Sequence, residues 1–337
     1  MNILILGINY APEMVGIGPY TAGTAQFLAQ AGHSVTVVAS KPYYPQWKGA
    51  KEYRTPGVLR TEKARGRVHR VPLYVPNKSS GLRRLIHHAC FTTLAVPEML
   101  RAAHFKKLLI GAEGGRTVEF SNLVNIDHIR PLPGPSVYRE HWGITTPHVV
   151  LYSGNFGHKQ GLEIIPQAAR MLADRDDLTF VICGNGALKD RREAEASGLS
   201  NVKFFDLQSA DKLNEFLGLA TGHLLPQIVN TAYLVLLSKV ASMRASGGPV
   251  LAIAVLGTGG AHELDGCGCC VPPGAAAVLP RSLVALLDDE HTRDGYRKIA
   301  RVKAERRWGR NQILAKLATE MAGKFASPVS LHGRQAD

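Results

Sequence analysis

Residues 151–165, Leu-Tyr-Ser-Gly-Asn-Phe-Gly-His-Lys-Gln-Gly-Leu-Glu-Ile-Ile, set three glycines, Asn155 and Lys159 between an apolar run and a helical pattern that opens at Leu162. These residue types at a strand-to-helix junction can hold an anion. Glycine lets backbone N–H groups approach a ligand closely. The first turn of a helix carries unpaired N–H groups at the positive end of its dipole. Lys159 would add a point charge. The alternative is a tight turn with a solvated lysine, since glycine-rich turns are common in α/β chains. Two further junctions repeat the pattern: Gly184-Asn185-Gly186 after a second apolar run, and Ser238-Lys239 at the start of a third helix. A serine there can also be an ordinary helix cap. Three such loops on one sheet edge favour the phosphate reading.

Other chemistries find less support. Gly16-Ile17-Gly18 follows the first strand, but Thr21 stands where a dinucleotide fingerprint needs its third glycine. The loop before those glycines is also too long, which speaks against an NAD(P) dehydrogenase. Cys267, Cys269 and Cys270 in Gly-Cys-Gly-Cys-Cys lack zinc-site spacing and read as buried strand cysteines. His87 and His88 should face opposite ways on a helix. Glu263 and Asp265 could be a carboxylate pair, but a solvated helix end is the preferred reading. No Ser/His/Asp or Cys/His set is readable, so the catalytic residues stay unknown. No metal site and no cofactor are expected.

The elements that must carry these loops follow from hydrophobic periodicity. Residues 2–7 read as a buried strand, followed by a glycine-rich loop, a helix and a strand at 34–40: a Rossmann-like opening. Residues 66–76 suggest another strand, and 82–107 a helix broken or kinked near Pro97. Regularity then fails in a Gly- and Pro-rich stretch. From 148 a cleaner alternation begins, with strands expected at 148–153, 178–183, 202–207, 222–227, 249–254 and 268–272. Helices are expected between them at 161–174, 187–197, 210–220 and 238–246, completing a doubly wound parallel sheet. The first half has room for about three strands, because a βαβ unit takes about 30 residues.

The chain has 337 residues and a net charge of +13, long enough for two domains and suited to an anionic partner. Five cysteines without framework spacing suggest a reducing compartment. The N-terminus lacks the basic region of a signal peptide, and no apolar run of about 20 residues is present, so a cytoplasmic location is expected. A nucleic-acid partner is not expected, because no helix-turn-helix, aromatic platform or zinc module is readable. Residues 54–107 are rich in Arg and Lys around an apolar helix. They read either as a solvated basic face or as a surface attracted to anionic lipids.

Several stretches together resemble the family 4 retaining glycosyltransferases, in the branch of the colanic acid and O-antigen transferases. They include Ile-Asn-Tyr-Ala-Pro-Glu-Met-Val-Gly-Ile-Gly (8–18), Pro-Tyr-Tyr-Pro-Gln-Trp (42–47), residues 151–163 and residues 234–250. The resemblance implies an α/β GT-B fold: two Rossmann-like domains facing a cleft. It implies transfer of a sugar from a nucleotide-sugar to a glycan or lipid-linked acceptor in polysaccharide or lipopolysaccharide assembly. By position, Gly16, Gly18, Asn155, Lys159, Ser238 and Lys239 would hold the donor diphosphate, and Gly184, Gly186 and Thr258 would lie at the nucleotide. The sequence departs from the family at Leu237, where relatives have proline, and at Gly259, where a glutamate is expected to hold the ribose.

The later strands of the first domain have no counterpart here. The expected organisation is a truncated first domain at 1–125, a linker at 126–147, a nucleotide-sugar domain at 148–310, and a C-terminal helix and tail at 311–337. A catalytically impaired remnant that only binds nucleotide, or acts as an interaction protein, is the alternative function.

Overall fold

Strand β5 (His148–Ser153) is the centre of the larger sheet, and its sequence explains why. His-Val-Val-Leu-Tyr-Ser is apolar on both faces, as a strand covered by helices on both sides must be. The computed structural model describes residues 2–13, 17–63, 66–76, 81–102, 124–157, 160–226, 236–255, 257, 259–273 and 277–325. The chain divides into two units, Met1–Phe120 with Leu314–Asp337, and Ser121–Ile313.

In the second unit β5 is joined by β6 (Leu178–Cys183), β7 (Val202–Phe205), β8 (Gly222–Leu225), β9 (Val250–Ile253) and β10 (Gly268–Val271). All neighbouring pairs are parallel, in the order β10-β9-β8-β5-β6-β7. This is the Rossmann strand order, with its switch point between β5 and β8. Two apolar layers flank the sheet. One gathers Val149, Leu151, Leu225 and Val240; the other gathers Val150, Tyr152, Ile165 and Leu283. The helix over β5 is Ile164–Met171, shorter than the sequence reading, with a turn taking Leu162 and Glu163.

Residues 126–147, expected as a linker, contribute to the core of this unit together with Val124 just before them. Val124, Ile129, Tyr138 and Ile144 are buried there. The Arg301 guanidinium donates to the carbonyls of Ile126, Ile129 and Ala245 at 2.7–3.0 Å, tying the segment to two helices. Glycines and prolines in this stretch imitate a linker, but its spaced apolar residues decide where it packs.

Glu263 is not a solvated helix end, which corrects the sequence reading. Its carboxylate accepts from Arg244 at 3.0 Å and pairs with Arg307 at 2.7 Å. The Arg244 side chain is 1% exposed and lies against the Trp308 ring. A charge that deep is stable only with its partner.

The first unit holds β1 (Asn2–Leu6), β2 (Ser34–Ser40), β3 (Leu59–Lys63) and β4 (Gly66–Val71), in the order β1-β2-β4-β3. Strand β3, which periodicity missed, runs antiparallel to β4 as a hairpin. The helix Gly18–Gln30 covers one face; the helix Gly81–Ala102 packs on the other and continues through Pro97 without a break. That second helix is anchored by buried Glu98, which accepts from Arg60 and Arg101 and meets His69 at 3.1 Å. Burial works to raise the Glu98 carboxyl, but its Arg60 hydrogen bond and the surrounding cations hold it below the usual range.

The Glu263 geometry predicts that Glu263→Ala destabilises the protein by about 3–5 kcal/mol, because Arg244 is left buried without its acid. Chemical denaturation of the two proteins checks this. A loss under 1 kcal/mol would show that Arg244 reaches water without Glu263.

Candidate functional site

The candidate site lies at the switch point of the larger sheet. Strand β5 ends at Ser153 and the chain turns at Gly154; β6 ends at Cys183 and turns at Gly184. The two loops are joined by hydrogen bonds from Gly154 N to Cys183 O at 2.9 Å and from Phe156 N to Asn185 O at 3.0 Å. Their backbones touch so closely that a Cβ on Gly184 would overlap the carbonyl oxygen of Gly154. A Cβ on Gly186 would crowd the Asn155 side chain and the Phe156 backbone. These glycines therefore have a packing reason for their identity, whatever they bind. Phe156 is fully buried between the loops and anchors the first of them.

Lys239 reaches the same point from the crossover after β8. It sits in the first turns of the helix Leu236–Ala245. Its ammonium lies against the Cα of Gly154, where a Cβ would displace it, and 5.3 Å from the centre of the Tyr152 ring. The Tyr152 hydroxyl donates to Asn155 O at 2.9 Å, which holds that ring beneath the lysine. Among the described residues no carboxylate pairs with Lys239. Burial lowers its pKa to about 8, so it is still largely protonated at neutral pH. A desolvated cation between a glycine turn and an aromatic face is an arrangement that can accept an anion.

The remaining expected residues divide as follows. Asn155 is exposed beside Gly186, in the loop pair that Lys239 reaches. Gly184 and Gly186 line the neighbouring turn. Ser238 belongs to the same helix as Lys239, and its side chain lies outside the described residues, as do Gly16, Lys159 and Thr258 altogether. Gly257 has φ +79 and precedes the short helix Gly259–His262. Gly18 belongs to the first unit, where a Cβ would press on the Glu13 carbonyl at 2.8 Å; its role there is close packing. Thr21 fills the space over Gly7 and donates to Ile17 O at 3.1 Å, which accounts for a threonine in place of a third glycine.

Sequence reasoning missed Tyr152. The available signal was a residue with a polar tip in the last two positions of an apolar strand that runs into a glycine turn. It also missed Glu13, whose carboxylate accepts from the backbone N–H groups of Tyr10, Tyr43 and Tyr44 at 2.8–3.2 Å and from Asn9. That single acid fixes the loops after β1 and β2 together. Among the described residues no metal-ligand cluster of His, Cys, Asp and Glu occurs.

Comparison with known proteins agrees with this architecture. Residues 136–303 match the family model of glycosyl transferases group 1. The chain is 30% identical to the putative colanic acid biosynthesis glycosyl transferase WcaI of Escherichia coli K12, covering 96% of this chain and 100% of that protein. That alignment runs over 414 positions, more than this chain's 337 residues, so the relative carries sequence without a counterpart here. Among solved structures, sucrose-phosphate synthase of Thermosynechococcus elongatus superposes with a TM-score of 0.69 at 16% identity, covering 97% of this chain and 100% of that one. HepE of Anabaena, solved with UDP-glucose, gives 0.63 at 16% identity, covering 96% and 100%. These structures share the fold, and the sequence match to WcaI goes further: this chain belongs to the group 1 glycosyltransferases of GT-B fold.

Proposed function

We propose that the second unit binds a nucleoside-diphosphate sugar at the switch point and that the chain transfers the sugar to a glycan or lipid-linked acceptor in polysaccharide assembly. Lys239 carries this reading, as a desolvated cation with no acidic partner among the described residues, set against the turns at Gly154 and Gly184. The diphosphate would lie on that ammonium and on backbone N–H groups of the loops, with Asn155, Lys159 and Ser238 beside it. Gly184, Gly186 and Thr258 would face the nucleotide. On departure of the sugar, the diphosphate gains negative charge, and a fixed cation there stabilises it. The relatives supply the rest: WcaI is named for colanic acid biosynthesis, and HepE was solved with UDP-glucose.

A second reading is supported by the length of the WcaI alignment. On this reading the missing portion belongs to the first domain, after the helix expected to end near Lys106. A chain lacking those strands would keep its donor site and lose part of its acceptor wall. Such a protein binds nucleotide and transfers poorly, because misplacement of reacting atoms by about 1 Å costs orders of magnitude in rate. Turnover with nucleotide-sugars separates the two readings.

A membrane-facing role for the first unit draws on the helix Gly81–Ala102. Phe91, Ala95 and Glu98 face the sheet, while Leu82, Leu85, Ile86, Val96 and Leu100 form a stripe on the opposite side and are exposed. Arg83 lies beside its start, while the Arg84 guanidinium lies over the Trp47 ring on the other side of the helix. Among the described residues no helix is long and apolar enough to cross a membrane. An exposed apolar stripe with Arg83 at its border suits peripheral attachment to anionic lipid, at about 1 kcal/mol per basic residue near the surface.

Lys239→Ala should weaken UDP binding by about 1.5–3 kcal/mol, measured by calorimetry. Affinity for the wild type should fall as pH rises through 8, where the free lysine loses its proton. Linkage gives the opposite sign for the stability of the ligand-free protein. Its lysine pKa lies below the ordinary 10.5, so the burial cost is fully present below pH 8 and disappears as pH rises from about 8 to 10.5. Unchanged affinity in Lys239→Ala would remove the lysine from the site. Separately, the protein should sediment with anionic vesicles at low salt and be released at high salt, and Leu85→Glu should weaken the attachment. Absence of salt-sensitive sedimentation would leave the stripe and Arg83 as an ordinary solvated surface.

A further inference from the structure

The first unit has a groove that the donor chemistry does not use. The helix Gly18–Gln30 is about 10 Å wide, whereas four strands at about 4.8 Å spacing make a broader face. One helix therefore covers only part of this side of the sheet. Beside it, over β2 and β4, lies a cavity of about 770 Å³. Its walls include Ala25, Ala29, Val35, Val37 and Val68, and Arg70 stands among them with Tyr10 and Tyr53.

Arg70 is the informative residue. It is 6% exposed, yet among the described residues no carboxylate lies within ion-pair distance of it. It donates to the carbonyl oxygens of Ser40, at 3.2 Å, and Ala11. Its guanidinium lies 5.6 Å from the Tyr10 ring centre and 5.2 Å from that of Tyr53. Two carbonyls and two rings orient the group, the Glu13 carboxylate acts on it only from beyond ion-pair distance, and a guanidinium has five N–H donors. Those carbonyls belong to the end of β2 and the loop after β1, at the carboxyl edge of the sheet where α/β ligands bind. The molecule thus holds an apolar trough with a fixed cation, in no direct ion pair among the described residues, in its wall.

We propose that this groove binds an anionic amphiphile, with a phosphate on Arg70 and an apolar chain lying between the helix Gly18–Gln30 and strands β2 and β4. Charge selects the head and the alanine and valine walls select the tail. Naming this amphiphile as the lipid-phosphate end of the acceptor rests on the transferase reading; binding in the groove does not.

Calorimetry on the full chain tests this, with decyl phosphate below its aggregation concentration, hexyl phosphate, decanol and inorganic phosphate as probes. Decyl phosphate should bind at one site, at least tenfold tighter than hexyl phosphate, because each buried methylene adds to affinity. Decanol and inorganic phosphate should each bind at least tenfold more weakly than decyl phosphate. Arg70→Gln should lose at least tenfold. Arg70 also ties two loops, so Ala29→Trp, which fills the trough from its half-buried rim, gives an independent variant. It should lose decyl phosphate at least tenfold while UDP binding stays unchanged. Equal affinity for decyl phosphate and decanol would overturn the proposal, as would equal affinity for inorganic phosphate or wild-type binding by a folded Ala29→Trp. Loss of UDP binding alone, with decyl phosphate still bound, would count against the donor reading and leave the groove standing.

Discussion

The backbone contact between Gly154 and Gly184 is the constraint on which the candidate site depends. Adjacent parallel strands β5 and β6 end in turns that touch at main-chain distance, and a side chain on Gly184 would drive them apart. That contact aligns the first loop with the second through two hydrogen bonds. It also leaves the space over Gly154 that the Lys239 ammonium occupies. Because β5 and β8 flank the switch point, the crossover after β8 delivers the lysine to the turn after β5. Strand order, glycine identity and lysine position are thus consequences of one packing arrangement.

Charge is distributed by the same economy. With 40 basic and 27 acidic residues, the chain cannot pair every cation with an acid of its own. Its buried acids are each fully engaged. Glu13 gathers backbone N–H groups, Glu98 gathers Arg60, Arg101 and His69, and Glu263 gathers Arg244 and Arg307. Against that background Lys239 and Arg70 differ in kind. Both are desolvated, both lie at the carboxyl edge of a sheet, and both lean on aromatic rings in place of carboxylates. Burial without a counter-ion costs stability unless a ligand supplies one, and this pattern connects sequence composition to the placement of candidate sites.

Much of this was legible in the sequence, for physical reasons that differ by element. Strands β5, β6, β8 and β9 announce themselves as short apolar runs, because a parallel strand at the centre of a sheet is buried on both faces, and β5 and β6 run directly into glycines. Strand β3 escaped because Leu-Arg-Thr-Glu-Lys is a polar edge strand with little periodic signal. The packing of residues 126–147 escaped because glycine and proline content describes local turns and says nothing of which apolar residues find a core. The lysine of the helix Leu236–Ala245 could be read from its junction, but its aromatic support could not, since Tyr152 and Lys239 meet only through the crossover. Arg70 and Glu263 are tertiary facts: sequence gives their charge, and only packing decides whether that charge is solvated, paired or left for a ligand.

The most direct test of the account is the ionisation of Lys239 itself, followed by NMR of a protein labelled at lysine side-chain nitrogen, with and without UDP. Free protein should show one lysine titrating near pH 8, absent in Lys239→Arg, and saturating UDP should raise its pKa by a unit or more, because binding and protonation are linked. A Lys239 signal that titrates at the same pH with and without bound UDP would contradict the central claim, since no anion would then be resting on it.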